Sequence, residues 1–270
     1  IESSSGGIFT LLAEYVFERN GVVFGAAFNE NMEVEHIFVQ NEAELERLRG
    51  SKYVQSRIGN TYREAKEYLE QGKIVLFTGT PCQIEGLQSF LNKDYENLIC
   101  QDIICHGVPS PAVWQRYVNY RENRSKAKTQ RMVFRHKKYG WESFSVLFEF
   151  SNNTEYMEPF SKDMYMKGFL SNVYLRKSCY DCKFKSFTHK SDFTLGDFWG
   201  IQDAVPQMND DKGISLVFAH TKKAEAILFE LKDRMKIQKG DSQKAIIKNS
   251  AMIQSVNCPN QRDAVMKQIL

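Results

Sequence analysis

The chain has 270 residues, of which 42% are hydrophobic and 26% are charged, and its formal net charge is +3. This length allows one large domain or two smaller ones with a substantial core. No block of lysine and arginine dominates a segment, no apolar run approaches the roughly 18 residues of a membrane span, and no signal peptide opens the chain. Nucleic-acid binding, a membrane span and secretion are therefore not expected.

The first part of the chain predicts helices alternating with strands. The predicted elements are a helix after Gly7, strands at 22–28 and 34–40, charged helices at 41–50 and 61–72, and strand–loop–helix units at 73–91 and 97–120. These assignments follow from helical spacing of apolar residues and from runs of β-branched and aromatic residues. Two successive strand–loop–helix units imply a parallel sheet, with ligand groups at the carboxyl ends of its strands.

From about residue 130 the pattern changes to short strands typical of antiparallel pairing. The predicted elements are strands at 131–137, 144–150 and 155–160, a helix at 161–170, a strand at 192–198, and an apolar segment at 213–221 that leads into a helix at 222–235. No linker or internal repeat is evident. We therefore expect one composite α/β domain over residues 1–270. Its α/β half would cover 1–125, and a more antiparallel half of α+β character would cover 126–270, giving a mixed sheet flanked by helices.

Four cysteines are candidate metal ligands. Six cysteines are too few for a disulfide scaffold, and a chain without a secretory signal is expected in the reducing cytoplasm, where paired cysteines bind metal or do chemistry. Cys179 and Cys182 are two residues apart, and Cys82 and Cys105 follow the strands of the two strand–loop–helix units. Four thiolates suit zinc or a 4Fe-4S cluster equally well by ligand count. Their dispersal over about 100 residues favours a cluster beside a second cofactor, whereas Cys100 is expected in the core.

Two histidines lie near these cysteines in the sequence. His106 follows Cys105 directly, which raises the alternative of a cysteine hydrolase. Neighbours at a strand end point apart, so a nucleophile–base pair is not favoured, and a hydrogen bond that tunes a metal ligand is the preferred interpretation. His189 lies in a polar loop and is predicted to face solvent.

Several segments suit a phosphate or a flat ring. The Ser5–Gly7 loop precedes a helix, and the Thr78–Thr80 turn ends a strand, so both fit a phosphate, although an ordinary helix cap explains the serines equally well. Lys52 suits a phosphate and Tyr53 a flat ring, against the alternative of a solvated turn. Residues 135–144 form a basic turn that carries Tyr139 and Trp141, which fits either a surface hairpin or a cofactor cover.

Six motifs together resemble one known family. The segments SSSGGIFT, GSKYVQS, FTGTPCQIEGL, CHGVPSP, CYDCKF and TLGDFWG occur in this order between Ser3 and Gly200. In this combination they resemble the C-terminal catalytic region of the coenzyme F420 (deazaflavin) hydrogenase/dehydrogenase beta-subunit family. Members of that family are iron–sulfur flavoproteins that use FAD and pass electrons between a carrier or substrate and a 4Fe-4S cluster.

The resemblance assigns roles to individual residues. It implies that the cluster is ligated by Cys82, Cys105, Cys179 and Cys182. It implies that the flavin site is lined by Ser5, Gly6, Gly7, Lys52, Tyr53, Thr78, Gly79 and Thr80. Asp197 is expected near that site, and the resemblance assigns no catalytic residue. The expected function is a cytoplasmic FAD- and iron–sulfur-dependent oxidoreductase, and the alternative is a zinc-stabilised domain that binds a partner without catalysis.

The resemblance also points to partners. Coenzyme F420 becomes a candidate substrate, since the family includes enzymes that use it, and a redox-active small molecule is expected in any case. Many members carry a ferredoxin-like module with the run CxxCxxCxxxCP, which does not occur in these residues. Because the sequence begins at Ile1 without methionine, that module is expected upstream or on a partner protein.

Overall fold

The computed structural model of the chain describes residues 3–269 and contains two β-sheets surrounded by helices. The strands are β1 (Val22–Phe28), β2 (Val34–Val39), β3 (Val75–Gly79), β4 (Leu98–Ile103), β5 (Thr129–His136), β6 (Ser145–Phe150), β7 (Glu155–Pro159), β8 (Phe193–Asp197) and β9 (Ser215–Ala219). The helices are α1 (Ile8–Phe17), α2 (Glu42–Leu45), α3 (Thr61–Glu70), α4 (Pro81–Leu91), α5 (Pro111–Ser125), α6 (Met164–Leu170), α7 (Ile201–Ala204), α8 (Lys222–Leu231), α9 (Ser242–Ile247) and α10 (Arg262–Ile269). The predicted α/β class with antiparallel strands in the second half is confirmed.

The larger sheet has six strands in the order β2-β1-β3-β4-β8-β9. Its four inner strands are parallel, and β2 and β9 pair antiparallel at the two edges. Helix α4 follows β3 directly, and α5 follows β4 after a loop at 104–110, so both predicted strand–loop–helix units are present. This topology places the carboxyl ends of β3, β4 and β8 at one edge of the sheet.

Helices cover both faces of this sheet, which explains the continuous apolar sequences of its central strands. On one face, Leu76 and Ile99 pack with side chains of α1 and α8. On the other face, Phe77 and Cys100 pack with side chains of α3 and α4. Cys100 is therefore a core residue, as its position within an apolar strand predicts.

The smaller sheet has the order β5-β6-β7 and is entirely antiparallel. Its Phe134 and Phe148 pack against Trp114 of α5, which is fully buried. The Trp114 indole N–H donates to the carbonyl of Met32, in the hairpin between β1 and β2, at 2.5 Å. One tryptophan thus joins the second half of the chain to an edge of the larger sheet.

Some elements differ from the sequence prediction. Helix α2 ends at Leu45, well before residue 50, and the sequence does not predict α7, α9 and α10. Helix α9 has only six residues and depends on Asp241, whose carboxylate accepts hydrogen bonds from two backbone amides of its first turn. Such short helices are stabilised by caps and packing and lack a clear period. Within residues 3–269, every helix is too short or too polar to cross a bilayer.

Candidate functional site

A cavity of about 1440 Å³ opens at the carboxyl ends of β3, β4 and β8. Side chains of α6 and of the loop before β6 line its opposite side, so both halves of the chain contribute. The predicted site residues that line it are Ser5, Lys52, Tyr53, Thr78, Gly79, Thr80, Cys82, Cys105, Cys179 and Cys182. Gly6 and Gly7 are not among its lining residues. The candidates for both proposed cofactors therefore meet at one cavity, where the parallel topology places ligand groups.

The four candidate cysteines have free thiols. Cys82 lies in the first turn of α4, with its Sγ 3.1 Å from Thr80 Oγ1. Cys105 follows β4, and Cys179 and Cys182 lie between α6 and β8. Negative charge on Cys82 and Cys179 would raise the pKa of Cys105 further. In the part of the chain that the structure describes, no three His, Cys, Asp or Glu side chains are grouped closely enough to hold a metal ion.

Polar contacts from later segments fix the backbone beside these thiols. Lys185 Nζ donates to the carbonyl oxygens of Cys105 and Ala251. The Cys182 amide donates to Ser255 Oγ at 2.9 Å. Burial raises the pKa of Cys105 to about 12, and the charge of Lys185 acts in the opposite direction. Because a thiol must lose its proton to bind a metal, Lys185 is placed where it favours the ligating form.

The Thr78–Thr80 turn presents the start of α4 to the cavity. Thr78 Oγ1 donates to the carbonyl of Phe24 at 2.9 Å, which anchors the end of β3 to β1. The Thr80 amide donates to Gln83 Oε1 at 2.9 Å, and Thr80 and Gln83 form a reciprocal capping box. The positive end of the helix dipole at α4 favours an anionic group near this turn.

The Ser5–Gly7 loop runs beside β9, and the path of its backbone explains why positions 6 and 7 are glycine. Ser5 Oγ donates to the carbonyl of Ile214 at 2.7 Å, and the Gly6 amide donates to Ser215 Oγ at 3.0 Å. A Cβ at Gly6 would lie 2.8 Å from the Ser215 nitrogen, and Gly7 has a φ of 92°, which favours glycine. The chain path explains both glycines, and Ser5 is the residue of the three that faces the cavity.

Lys52 and Tyr53 make contacts within the protein as well as lining the cavity. Lys52 Nζ donates to the carbonyl oxygens of residues 48–50 at 2.8 to 3.2 Å. Burial lowers the pKa of Lys52 to about 7. The Tyr53 ring is stacked on Phe169, with 4.9 Å between ring centroids. One face of Tyr53 is thus covered, and the three donors of Lys52 are matched by three carbonyls.

Arg135, the first residue of the basic turn at 135–144, lines the cavity, although the sequence predicted no individual role for it. Its side chain is 3% exposed, and its Nη1 forms an ion pair with Asp197 Oδ2 at 2.7 Å. The guanidinium carbon lies 4.3 Å from the centroid of the Phe144 ring and 5.3 Å from that of Trp199. Burial raises the pKa of Asp197, while Arg135 opposes this shift. Nε and Nη2 of Arg135 are buried and have no hydrogen-bond partner among residues 3–269.

His36 is a second buried polar residue that lines the cavity. Its Nε2 lies 3.0 Å from the carbonyl of Thr78, which can only accept, so Nε2 carries the proton. Burial lowers the pKa of His36 to about 4, and the nearby charge of Lys52 adds to this effect. The ring is therefore neutral at pH 7, and its Nδ1 lone pair has no partner among residues 3–269.

The prediction that His189 faces solvent is wrong. Its side chain is 3% exposed, and its Nδ1 lies 2.6 Å from Asp102 Oδ2. Thr194 Oγ1 donates to the other oxygen of Asp102 at 2.6 Å, and the His220 ring stacks on His189 at 5.6 Å. The sequence signal for this buried contact is the carboxylate of Asp102 inside an apolar strand, because a buried charge requires partners. Although burial opposes protonation of His189, the contact with Asp102 raises its pKa.

Comparisons with known proteins agree with this architecture. The family model that describes the C terminus of the coenzyme F420 hydrogenase/dehydrogenase beta subunit matches residues 72–244, more than half of the chain. No curated protein sequence matches significantly. Among solved structures, the fold is similar to that of a chain in the xenon-derivatised F420-reducing nickel–iron hydrogenase complex from Methanosarcina barkeri. The TM-score is 0.59 at 16% sequence identity, and the similarity covers 99% of this chain and 86% of that chain.

Proposed function

The chain belongs to the coenzyme F420 hydrogenase/dehydrogenase beta-subunit family, and on this premise we propose that it is an oxidoreductase that uses FAD and a 4Fe-4S cluster. It would pass electrons between a hydride donor or acceptor, the flavin and the cluster. The observation that carries this proposal is that the candidate residues for both groups, except Gly6 and Gly7, line one cavity at the carboxyl edge of the parallel sheet. The four thiols and the Thr78–Thr80 turn line the same cavity, which supports a cluster and a flavin bound next to each other.

The cavity suits a dinucleotide in size and chemistry. Its volume of about 1440 Å³ exceeds the roughly 300 to 1,000 Å³ of ordinary ligand pockets. Ser5 and the Thr78–Thr80 turn line the cavity with polar residues, and the positive end of the α4 dipole favours a phosphate there. The Lys52 amine, when protonated, adds a positive charge to the cavity wall. These residues would hold FAD, with Tyr53 in the wall beside it.

The donor set suits a cluster. Cys82, Cys105, Cys179 and Cys182 would supply four thiolates, the number that a 4Fe-4S cluster requires. A flavin and a cluster held in one protein supply hydride chemistry and single-electron transfer, respectively. The part of Lys185 is to hold the Cys105 backbone and to favour its thiolate through its positive charge. Lys185 and Cys105 would thus act in binding the cluster, and no side chain is assigned as a catalytic acid or base.

The alternatives make different predictions. A zinc-stabilised partner-binding domain would use the same cysteines but would give a colourless protein. A cysteine hydrolase would need His106 beside the Cys105 thiol. Instead, His106 Nε2 lies 2.7 Å from Asn172 Oδ1, and its ring packs edge-on against Phe169. This arrangement favours a positioning role for His106 over that of a general base.

The test is anaerobic purification and reconstitution with iron, sulfide and FAD, followed by metal analysis and an absorption spectrum. We expect about four irons per chain together with flavin bands. Cys105→Ala should lose the iron, whereas Cys258→Ala should keep it, because Cys258 is exposed and does not line the cavity. Protein that binds neither flavin nor iron, or that takes up one zinc per chain and no iron, would refute the proposal.

The proposal extends to partners and organisation. We propose that the chain works in the cytoplasm, exchanges electrons with a ferredoxin-like domain or protein, and acts on a redox-active small molecule, with F420 as a candidate. We also propose that residues 1–270 act as one composite unit. The cavity supports this, since its walls come from both sides of residue 125.

A further inference from the structure

Arg135 has an unusual combination of burial and unused hydrogen-bonding capacity. Its guanidinium lines the cavity, and its side chain is 3% exposed. The centroid of the Phe144 ring lies 4.3 Å from the guanidinium carbon, so an aromatic ring covers one side of the charge. A buried N–H without a partner destabilises the folded protein, yet Nε and Nη2 both lack a partner among residues 3–269.

The contact with Asp197 does not account for these donors. Asp197 Oδ2 contacts Nη1 at 2.7 Å, and the Tyr53 hydroxyl lies 3.4 Å from the same nitrogen. Nε and Nη2 lie on a different edge of the guanidinium, where their N–H bonds form the fork that grips two oxygens of one oxyanion. Asp197 thus holds the guanidinium through Nη1 and leaves this fork free.

We propose that Arg135 is an anion-binding residue of the cavity, whose Nε and Nη2 bind one phosphate or carboxylate group of a ligand while Asp197 positions the guanidinium. This proposal rests on the proposed function for the identity of the ligand, which is either the phosphate of the flavin cofactor or an anionic group of the substrate. Low water access at the site strengthens such a charged contact.

The experiment separates these two sources. FAD, FMN and riboflavin share one ring system but differ in their phosphate groups, so their affinities for the reconstituted chain report on a phosphate contact. Inorganic phosphate and succinate, titrated by calorimetry into the FAD-loaded chain, report on an anion site that the cofactor leaves free. Inorganic pyrophosphate, titrated into the flavin-free chain, tests the site without any flavin.

Arg135→Gln removes the charge and the fork, and Arg135→Lys keeps the charge but removes the fork. Arg131→Gln is the matched control, because Arg131 lies on the same strand, is 52% exposed and pairs with Glu149 at 2.9 Å. If Arg135→Gln alone fails to fold, Arg135→Gln with Asp197→Asn removes the whole ion pair. Circular dichroism checks the fold of each variant.

Loss of two charge-assisted hydrogen bonds should weaken binding about 100- to 10,000-fold. If the loss appears for FAD or FMN and not for riboflavin, the ligand is the cofactor phosphate. If it appears only for phosphate or succinate in the FAD-loaded chain, the ligand is the substrate. Unchanged affinities for every anion in folded Arg135 variants would overturn the proposal. A chain that binds no flavin would refute the proposed function instead, and pyrophosphate binding would still decide the role of Arg135.

Discussion

Acid should destabilise the protein through His36, which the fold holds in its neutral form. Burial lowers the pKa of His36 to about 4 from its ordinary value of 6.5, so the unfolded chain binds this proton more tightly than the folded one. Stability from His36 is therefore complete above pH 6.5, falls as the pH drops towards 4, and is lost below it. A difference of about 2.5 pKa units corresponds to about 3 kcal/mol in total, of which about 2.5 kcal/mol is lost by pH 4.5.

The assay is urea unfolding of the cofactor-free chain between pH 7 and pH 4.5, for the wild type and for His36→Gln. Glutamine can still donate to the Thr78 carbonyl but does not titrate. The wild type should lose about 2.5 kcal/mol more than the variant over this range, because the other ionisable groups are common to both. A difference between the two proteins that does not change with pH would refute the assignment of a buried, neutral His36. Nitrogen-15 NMR should in addition show the proton on Nε2.

Three substitutions test the structure around the site, each by urea unfolding. Gly107→Ala places a Cβ 2.9 Å from Leu175 Cδ1 at a φ of 146° and should lower the free energy of unfolding by about 1–3 kcal/mol. In the control Gly240→Ala the new Cβ has nothing within 4 Å, so the loss should be less than about 1 kcal/mol. Equal losses in the two variants would contradict this expectation. Asp163→Asn should cost about 2–3 kcal/mol, since the buried carboxylate accepts hydrogen bonds from two tyrosine hydroxyls and a backbone amide, and an unchanged stability would show that its charge is unimportant. Trp114→Ala should cost about 3–5 kcal/mol because the side chain is fully buried, and a cost below about 1 kcal/mol would mean that the two halves do not depend on it.

The two parallel strand–loop–helix units of the larger sheet could be predicted because their signals are local. The strand that ends at Gly79 is a short apolar run. Thr80 caps the following helix, and Pro81 is the first residue of that helix. The same order recurs before Pro111. Each unit lies within about 20 consecutive residues, so periodicity and turn chemistry suffice to identify it. From two such units, the position of Cys82 and Cys105 at one sheet edge follows without any knowledge of packing.

The polar pairs inside the protein could not be predicted, because their partners are distant in the sequence. Arg135 and Asp197 belong to different sheets, and their contact depends on how those sheets pack. Asp102 and His189 are 87 residues apart. The sequence could indicate that a carboxylate in an apolar strand needs a partner, but it could not identify that partner. A polar loop therefore predicts a solvated histidine where the structure has a buried one.

Long-range contacts also explain why the candidate site belongs to neither half alone. The segment that carries Lys52 and Tyr53 lies outside regular secondary structure. It is held by α6, because the Tyr165 hydroxyl donates to the carbonyl of Tyr53 at 2.7 Å and Phe169 stacks on its ring. Arg135 likewise comes from the smaller sheet and meets Asp197 at the end of β8. Residues that the parallel sheet places at its edge thus become a cavity only when the second half packs over them. If the proposed flavin binds in this cavity, separating the halves should abolish its binding even if each half folds.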